Sequence, residues 1–206
     1  MKPIQTETYR GCRIEIVYDQ DCDSPREWDN LGTIACWHRR YELGDVQPDV
    51  GAQAYLDQVV LPNKALYLPV YAYIHSGIAL STKPFGDPWD SGRIGYIWCS
   101  LEKARKEWSL GPAADWATKL TASGELPSET LQCRVERVLR GEIETYSQYL
   151  GGECYGYRAL NPDGEEIDSC YGFIGHESIE EMTDEAKASI DRWFEDETNH
   201  NQDGEH

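Results

Sequence analysis

The stretch from Ser178 to Glu197 limits what this chain can fold into more than any other. Ile179, Met182, Ala186, Ile190 and Trp193 recur at helical spacing along one stripe. Glu180, Glu181, Asp184, Glu185, Asp191, Glu195 and Asp196 dominate the opposite side. A helix of this kind must bury its stripe against another layer and leave its carboxylates in water. The segment is therefore predicted to be a C-terminal acidic amphipathic helix packed on a sheet, followed by a frayed acidic tail over 198–206.

That helix is also where the charge is concentrated. Residues 1–100 carry 13 acids against 9 bases, residues 101–150 carry 8 against 7, and residues 151–206 carry 16 against 3. The last quarter thus supplies −13 of a net −18. Such a field repels nucleic acid and anionic membrane and attracts basic proteins over a Debye length of roughly 8–10 Å. The N-terminus lacks the apolar run of a signal peptide, and the longest apolar-rich stretch, near Ala65 to Ile74, is too short to span a bilayer. A cytoplasmic protein is expected.

Upstream the pattern is mostly of period two. Cys12 to Tyr18 places Ile14, Ile16 and Tyr18 on one face and Arg13, Glu15 and Val17 on the other, as in a half-buried strand. Thr33–His38, Ala65–His75, Gly77–Ser81 and Arg93–Cys99 also read as strands, with a short helix between Pro48 and Pro62. Ser100 caps a helix to about Trp108, and Ser128 caps a second that ends at Gly141. From Glu142 to Gln148 the alternation suggests a strand. Cys154–Leu160 and Glu166–Ile174 form a meander around the Asn161-Pro-Asp-Gly164 turn. The expectation is one α+β domain over 1–197, with a mainly antiparallel sheet, two middle helices and the C-terminal helix.

Seven cysteines, Cys12, Cys22, Cys36, Cys99, Cys133, Cys154 and Cys170, are scattered with no C-x-x-C pair. This argues for free thiols over a disulfide framework or zinc ribbon. Two loops suit a hard divalent cation such as Ca2+, which wants several carboxylate oxygens from a bent chain. Asp19, Asp21 and Asp23 alternate in the first, and Asp87 and Asp90 lie in the second, PFGDPWDSG. The first loop is not an EF-hand, because its sixth position is Ser24 and its twelfth is Asn30. The competing account is that these aspartates cap backbone N–H groups in turns. His75 with Asp90 or a cysteine is a weaker, hydrolase-type alternative, without a nucleophile-elbow motif to support it. The basic run Trp37-His38-Arg39-Arg40 is expected to pair with Glu42, Asp45 or the Asp19–Asp29 loop.

Three long segments carry a resemblance: SPREWDNLGTIACWHRRYELGD (Ser24 to Asp45), YAYIHSGIALSTKPFGDPWDSGRIGYIW (Tyr71 to Trp98) and ETYSQYLGGECYGYRALNPDGEEIDSCYGFIG (Glu144 to Gly175). Together they resemble, in the same order, a family of small proteins of bacteriophages and integrative elements. The resemblance implies a mobile-element origin and residence in a bacterial host cytoplasm, and it brings no catalytic residue set. The acidic stretch beyond Gly175 lies outside it.

Charge and context together favour a non-enzymatic, phage-type protein. It is expected to bind and inhibit a basic host protein or nucleoprotein complex, in an anti-CRISPR or antirestriction manner, by mimicking nucleic acid. The contact surface would be Glu177, Glu180, Glu181, Asp184, Glu185, Asp191, Glu195 and Asp196, with Trp193 or Phe194 as an apolar anchor if not buried.

Overall fold

The computed structural model describes residues 2–87, 89–120 and 129–203, with side chains to residue 196. It is α+β, and the chain divides into two compact units. Met1–Asp23 and Gly152–His206 form a terminal unit, and Ser24–Gly151 forms a central unit inserted between them in sequence. In the sequence, one boundary of this division coincides with the start of the acidic last quarter.

The terminal unit is a four-stranded antiparallel sheet covered by one helix. Its strands are β1 (Gln5–Tyr9), β2 (Cys12–Tyr18), β9 (Cys154–Leu160) and β10 (Glu166–Ile174), in the order β1-β2-β9-β10. The helix α4 runs over Ser178–Asp203, past the expected end at Glu197. Alternation in β2 sends Cys12, Ile14 and Ile16 to one face, where Tyr155, Tyr157 and Ala159 of β9 join them. Onto this face α4 lays Ile179, Met182, Ala186 and Ile190, all buried. At about 1.5–3 kcal/mol for each large apolar side chain removed from water, this contact is what holds so acidic a helix in place. Trp193 and Phe194 pack against the same core, ring on ring at 4.8 Å, with the Arg10 guanidinium 4.3 Å above Phe194. Both are partly buried and contribute to the fold.

The central unit holds a second antiparallel sheet in the order β3-β6-β4-β5. These strands are β3 (Thr33–Cys36), β4 (Leu66–Ile74), β5 (Ile78–Ser81) and β6 (Ser91–Cys99). Period-two alternation gives it two apolar faces. Ile34, Leu68, Val70 and Ile97 meet helix α3 (Leu131–Leu150) on one side. Ala35 and Tyr96 meet Tyr55, Leu56 and Val60 on the other. These last three come from α1 (Ala52–Tyr55) and the π turn Leu56–Val60 that continues it. Close approach of β3 to β6 requires Gly95, because a Cβ there would lie 2.1 Å from the Ala35 carbonyl oxygen. The helix α2 (Leu101–Glu107) is capped by Ser100, whose Oγ accepts from the Lys103 N–H at 3.1 Å. A two-stranded pair, β7 (Lys119–Leu120) and β8 (Glu129–Thr130), precedes α3.

One sequence expectation is corrected here. Glu142–Gln148 is not a strand, because α3 continues through it as a single 20-residue helix. Leu131, Val135, Leu139, Ile143 and Tyr146 form one unbroken buried stripe, and Gly141 faces open space. A mid-helix glycine costs roughly 1 kcal/mol, less than the burial gained by carrying Ile143 and Tyr146 into the core. The expected cap Ser128 lies outside the described residues; Thr130 serves instead, accepting from the Cys133 N–H at 3.2 Å.

Candidate functional site

In the terminal unit, burying the apolar stripe of α4 turns its acids outward. Glu177, just before the helix, and Glu180, Glu181, Asp184, Glu185, Glu195 and Asp196 are exposed. Asp191 differs from these. It is half-buried, accepts from Arg10 Nη1 at 2.6 Å and from the Tyr9 hydroxyl at 3.1 Å, and is held below the usual carboxylate range chiefly by the Arg10 hydrogen bond. It fastens α4 to the β1–β2 turn.

Beside the first half of α4 runs an open groove of about 450 Å³, with β1 as its other wall. Glu7, Glu177, Glu180 and Asp184 line it, and Lys187 pairs with Glu7 at 2.9 Å. Because β1 is an edge strand, its outer side has no partner strand within the sheet. The arrangement suits cationic side chains: carboxylates on two walls, apolar Ile179 between them, and an extended backbone alongside.

The residues expected to hold calcium lie in two separate turns. Asp19, Asp21 and Asp23 belong to the terminal unit, while Asp87 and Asp90 belong to the central one. Asp19 Oδ1 accepts from the Asp21 N–H and its Oδ2 from the Gly172 N–H, both at 3.0 Å. Asp87 Oδ1 accepts from Trp89 N–H at 2.7 Å and Asp90 N–H at 3.2 Å. Among the described residues no group of three or more His, Cys, Asp or Glu is placed to hold a metal ion. The geometry of Asp19 and Asp87 is that of turn capping.

The structure does bring His75 and Asp90 together, with Nδ1 to Oδ2 at 2.9 Å. Nucleophilic chemistry also needs a hydroxyl or thiol at the other ring nitrogen, and among the described residues none is hydrogen-bonded to His75. Ser91 Oγ is turned to the Asp87 carbonyl instead. Nor is a thiol activated at the core cysteines. Burial raises Cys12, Cys36, Cys99 and Cys154, and Cys22 is pushed up to about 12 by burial and its hydrogen bond with Cys154.

The feature that sequence reasoning missed is a buried charge cluster in the central unit. The Arg26 side chain, 8% exposed, donates from Nε and Nη2 to Asp45 at 2.9 and 2.7 Å, and from Nη1 to Glu142 at 3.0 Å. Glu142 in turn accepts from the Leu31 and Gly32 N–H groups at 2.7 and 3.0 Å. Burial alone would lower Arg26, but the Asp45 and Glu142 hydrogen bonds outweigh it and raise it. Asp45 is thereby committed to Arg26, and among the described residues neither Arg39 nor Arg40 forms the expected ion pair. The 116-residue separation of Arg26 from Glu142 leaves no local signal for the cluster.

No protein-family profile, curated protein or solved structure matches this chain. Among the described residues no helix is long and apolar enough to cross a membrane.

Proposed function

We propose that this protein binds a basic, nucleic-acid-handling host protein or nucleoprotein complex through the outer face of α4, and inhibits it by standing in for nucleic acid. The observation that carries the reading is the exposed set Glu177, just before α4, and Glu180, Glu181, Asp184, Glu185, Glu195 and Asp196 on it, a helix whose apolar stripe is already spent on the sheet. Solvated carboxylates spaced along a rigid rod offer a nucleic-acid groove the charge it was built to receive. Affinity then depends on salt as it does for the true ligand. The acidic groove beside β1 adds a place for arginine or lysine side chains of that partner. A phage or integrative-element origin, implied by the three resembling segments, supplies the context: a defence complex in a bacterial cytoplasm, countered in an anti-CRISPR or antirestriction manner.

The test compares the full chain with the E180Q/E181Q/D184N/E185Q variant in affinity capture from nuclease-treated bacterial lysate, washed at low and high salt. All four positions are exposed, so the fold should survive the change. The reading expects nucleic-acid-binding proteins captured by the parent, released by salt or by competing DNA, and lost with the variant. Undiminished capture by the variant at low salt would sink it.

A further inference from the structure

We infer that the central unit carries a binding pocket for a nucleoside monophosphate, a planar heteroaromatic base joined to a single phosphate. An open pocket of about 340 Å³ lies on the sheet face that carries the larger core, within the roughly 300–1,000 Å³ of small-molecule sites. Its floor is apolar, made by Ala72 and Ile74 of β4 and Ile94 of β6.

The rim supplies aromatic faces. Trp89 is 92% exposed, the largest exposure of any large hydrophobic side chain described. A bare indole costs solvation and gains nothing from the fold, yet Asp87 holds its backbone through the Trp89 and Asp90 N–H groups. Tyr41, 41% exposed, stacks on His38 at 5.3 Å and 19°. His38 Nδ1 accepts from the Arg40 and Tyr41 N–H groups at 3.3 and 3.2 Å, which fixes that rim turn and leaves the ring proton on Nε2. Two braced turns thus hold flat rings at the mouth, the arrangement on which a base stacks.

The polar groups select what the base carries. Arg40 lines the pocket and forms no ion pair among the described residues, so its guanidinium fork is available to a phosphate. Asp90, steadied by His75, offers carboxylate oxygen to an exocyclic amino group or ribose hydroxyl. A lone phosphate would not use the rings, and an uncharged aromatic would not use Arg40. The surroundings permit an anion, because the central unit has 13 bases and 16 acids, net −3, whereas the terminal unit has 6 and 21, net −15.

The experiment is calorimetric titration of the full-length protein with AMP, GMP, CMP and UMP, alongside the matching nucleosides and inorganic phosphate. Saturable binding of at least one nucleotide is expected, with Kd in the range of about 0.01–1 mM. Trp89→Ala should weaken it about tenfold or more, and Arg40→Ala should erase the preference for nucleotide over nucleoside. Both side chains are at the surface, so amide spectra of the two variants should overlay on the parent's away from the pocket. A 5′-phosphorylated trinucleotide separates sources of the same chemistry: tighter binding than the mononucleotide assigns the pocket to a strand end, and weaker binding assigns it to a free nucleotide. No saturable binding of any nucleotide, unchanged affinity in Trp89→Ala, or phosphate binding as tightly as nucleotide would each overturn the inference. The acidic face of α4 plays no part in it, so failure here leaves the partner-binding reading untouched.

Discussion

The two units handle charge in opposite ways. The central unit, net −3, draws charge inward: Arg26 sits 8% exposed between Asp45 and Glu142, and these carboxylates also accept from the backbone N–H groups of Leu31, Gly32 and Ile34. The terminal unit, net −15, uses ion pairs at its surface, as Arg10 with Asp191, and leaves most of the acids of α4 in water. A buried, fully hydrogen-bonded cluster specifies one arrangement of loop and helix and makes each member costly to remove. An exposed acidic face contributes little to folding and remains available for binding. Buried charge and solvent-exposed charge are thus separated along the chain.

The most severe break of this contrast is Arg26→Ala. It strands two carboxylates and should cost about 3–5 kcal/mol in denaturant unfolding, with hydrogen exchange rising throughout Ser24–Gly151. A loss no larger than that of a surface substitution would show the cluster to be dispensable. Met182→Ala tests the other unit, where attachment of α4 rests on apolar packing. Truncating this fully buried side chain should cost about 2–5 kcal/mol, measured the same way.

A smaller effect sharpens the comparison through pH. Asp168 accepts from Ser189 Oγ at 2.5 Å and from the Tyr157 hydroxyl at 3.0 Å, which holds it below its ordinary 3.8, the Ser189 bond being the largest cause. Burial pushes Tyr157 up to about 12. A carboxylate with a depressed folded pKa stabilises above its unfolded value, and that contribution is lost as pH falls through the folded one. Ser189→Ala should therefore cost about 1–2 kcal/mol at pH 6, and the gap to the parent should close as the pH drops below 3.8. A gap independent of pH would assign the loss to packing alone.

Neutralising Glu180, Glu181, Asp184 and Glu185 should leave stability within about 0.5 kcal/mol or raise it slightly, because these side chains repel one another and contribute little to the fold. A marked loss would mean that the acidic face is structural. The smallest expected effect comes from calcium. If Asp19 and Asp87 serve as turn caps, millimolar calcium or a chelator leaves the melting temperature unchanged, whereas a rise would place a cation on the native state.

Much of this was legible locally. Alternation over Cys12–Ile16, the Asn161–Gly164 turn and the stripe of Ser178–Glu197 are kept by the structure, whereas at the end of β2 the expected faces are exchanged, with Val17 buried and Tyr18 exposed. β1 was not anticipated, because Gln5–Tyr9 is polar and is a strand only by pairing with β2. At Glu142–Gln148 a short alternation competed with a longer helical stripe, and only the position of the core decided between them. Trp89 did leave a trace: a large aromatic within a loop of prolines, glycines and aspartates has little to pack on.

By itself the sequence determined the α+β class, most of the elements and the outward acids of α4, since each follows from periodicity and charge within some twenty neighbouring residues. Tertiary structure decided the division into two units, the burial of Arg26 between Asp45 and Glu142, the meeting of His75 with Asp90, and the pocket beneath Trp89. Those depend on which distant segments share a sheet or a core, and contacts across long separations leave no period in the chain that makes them.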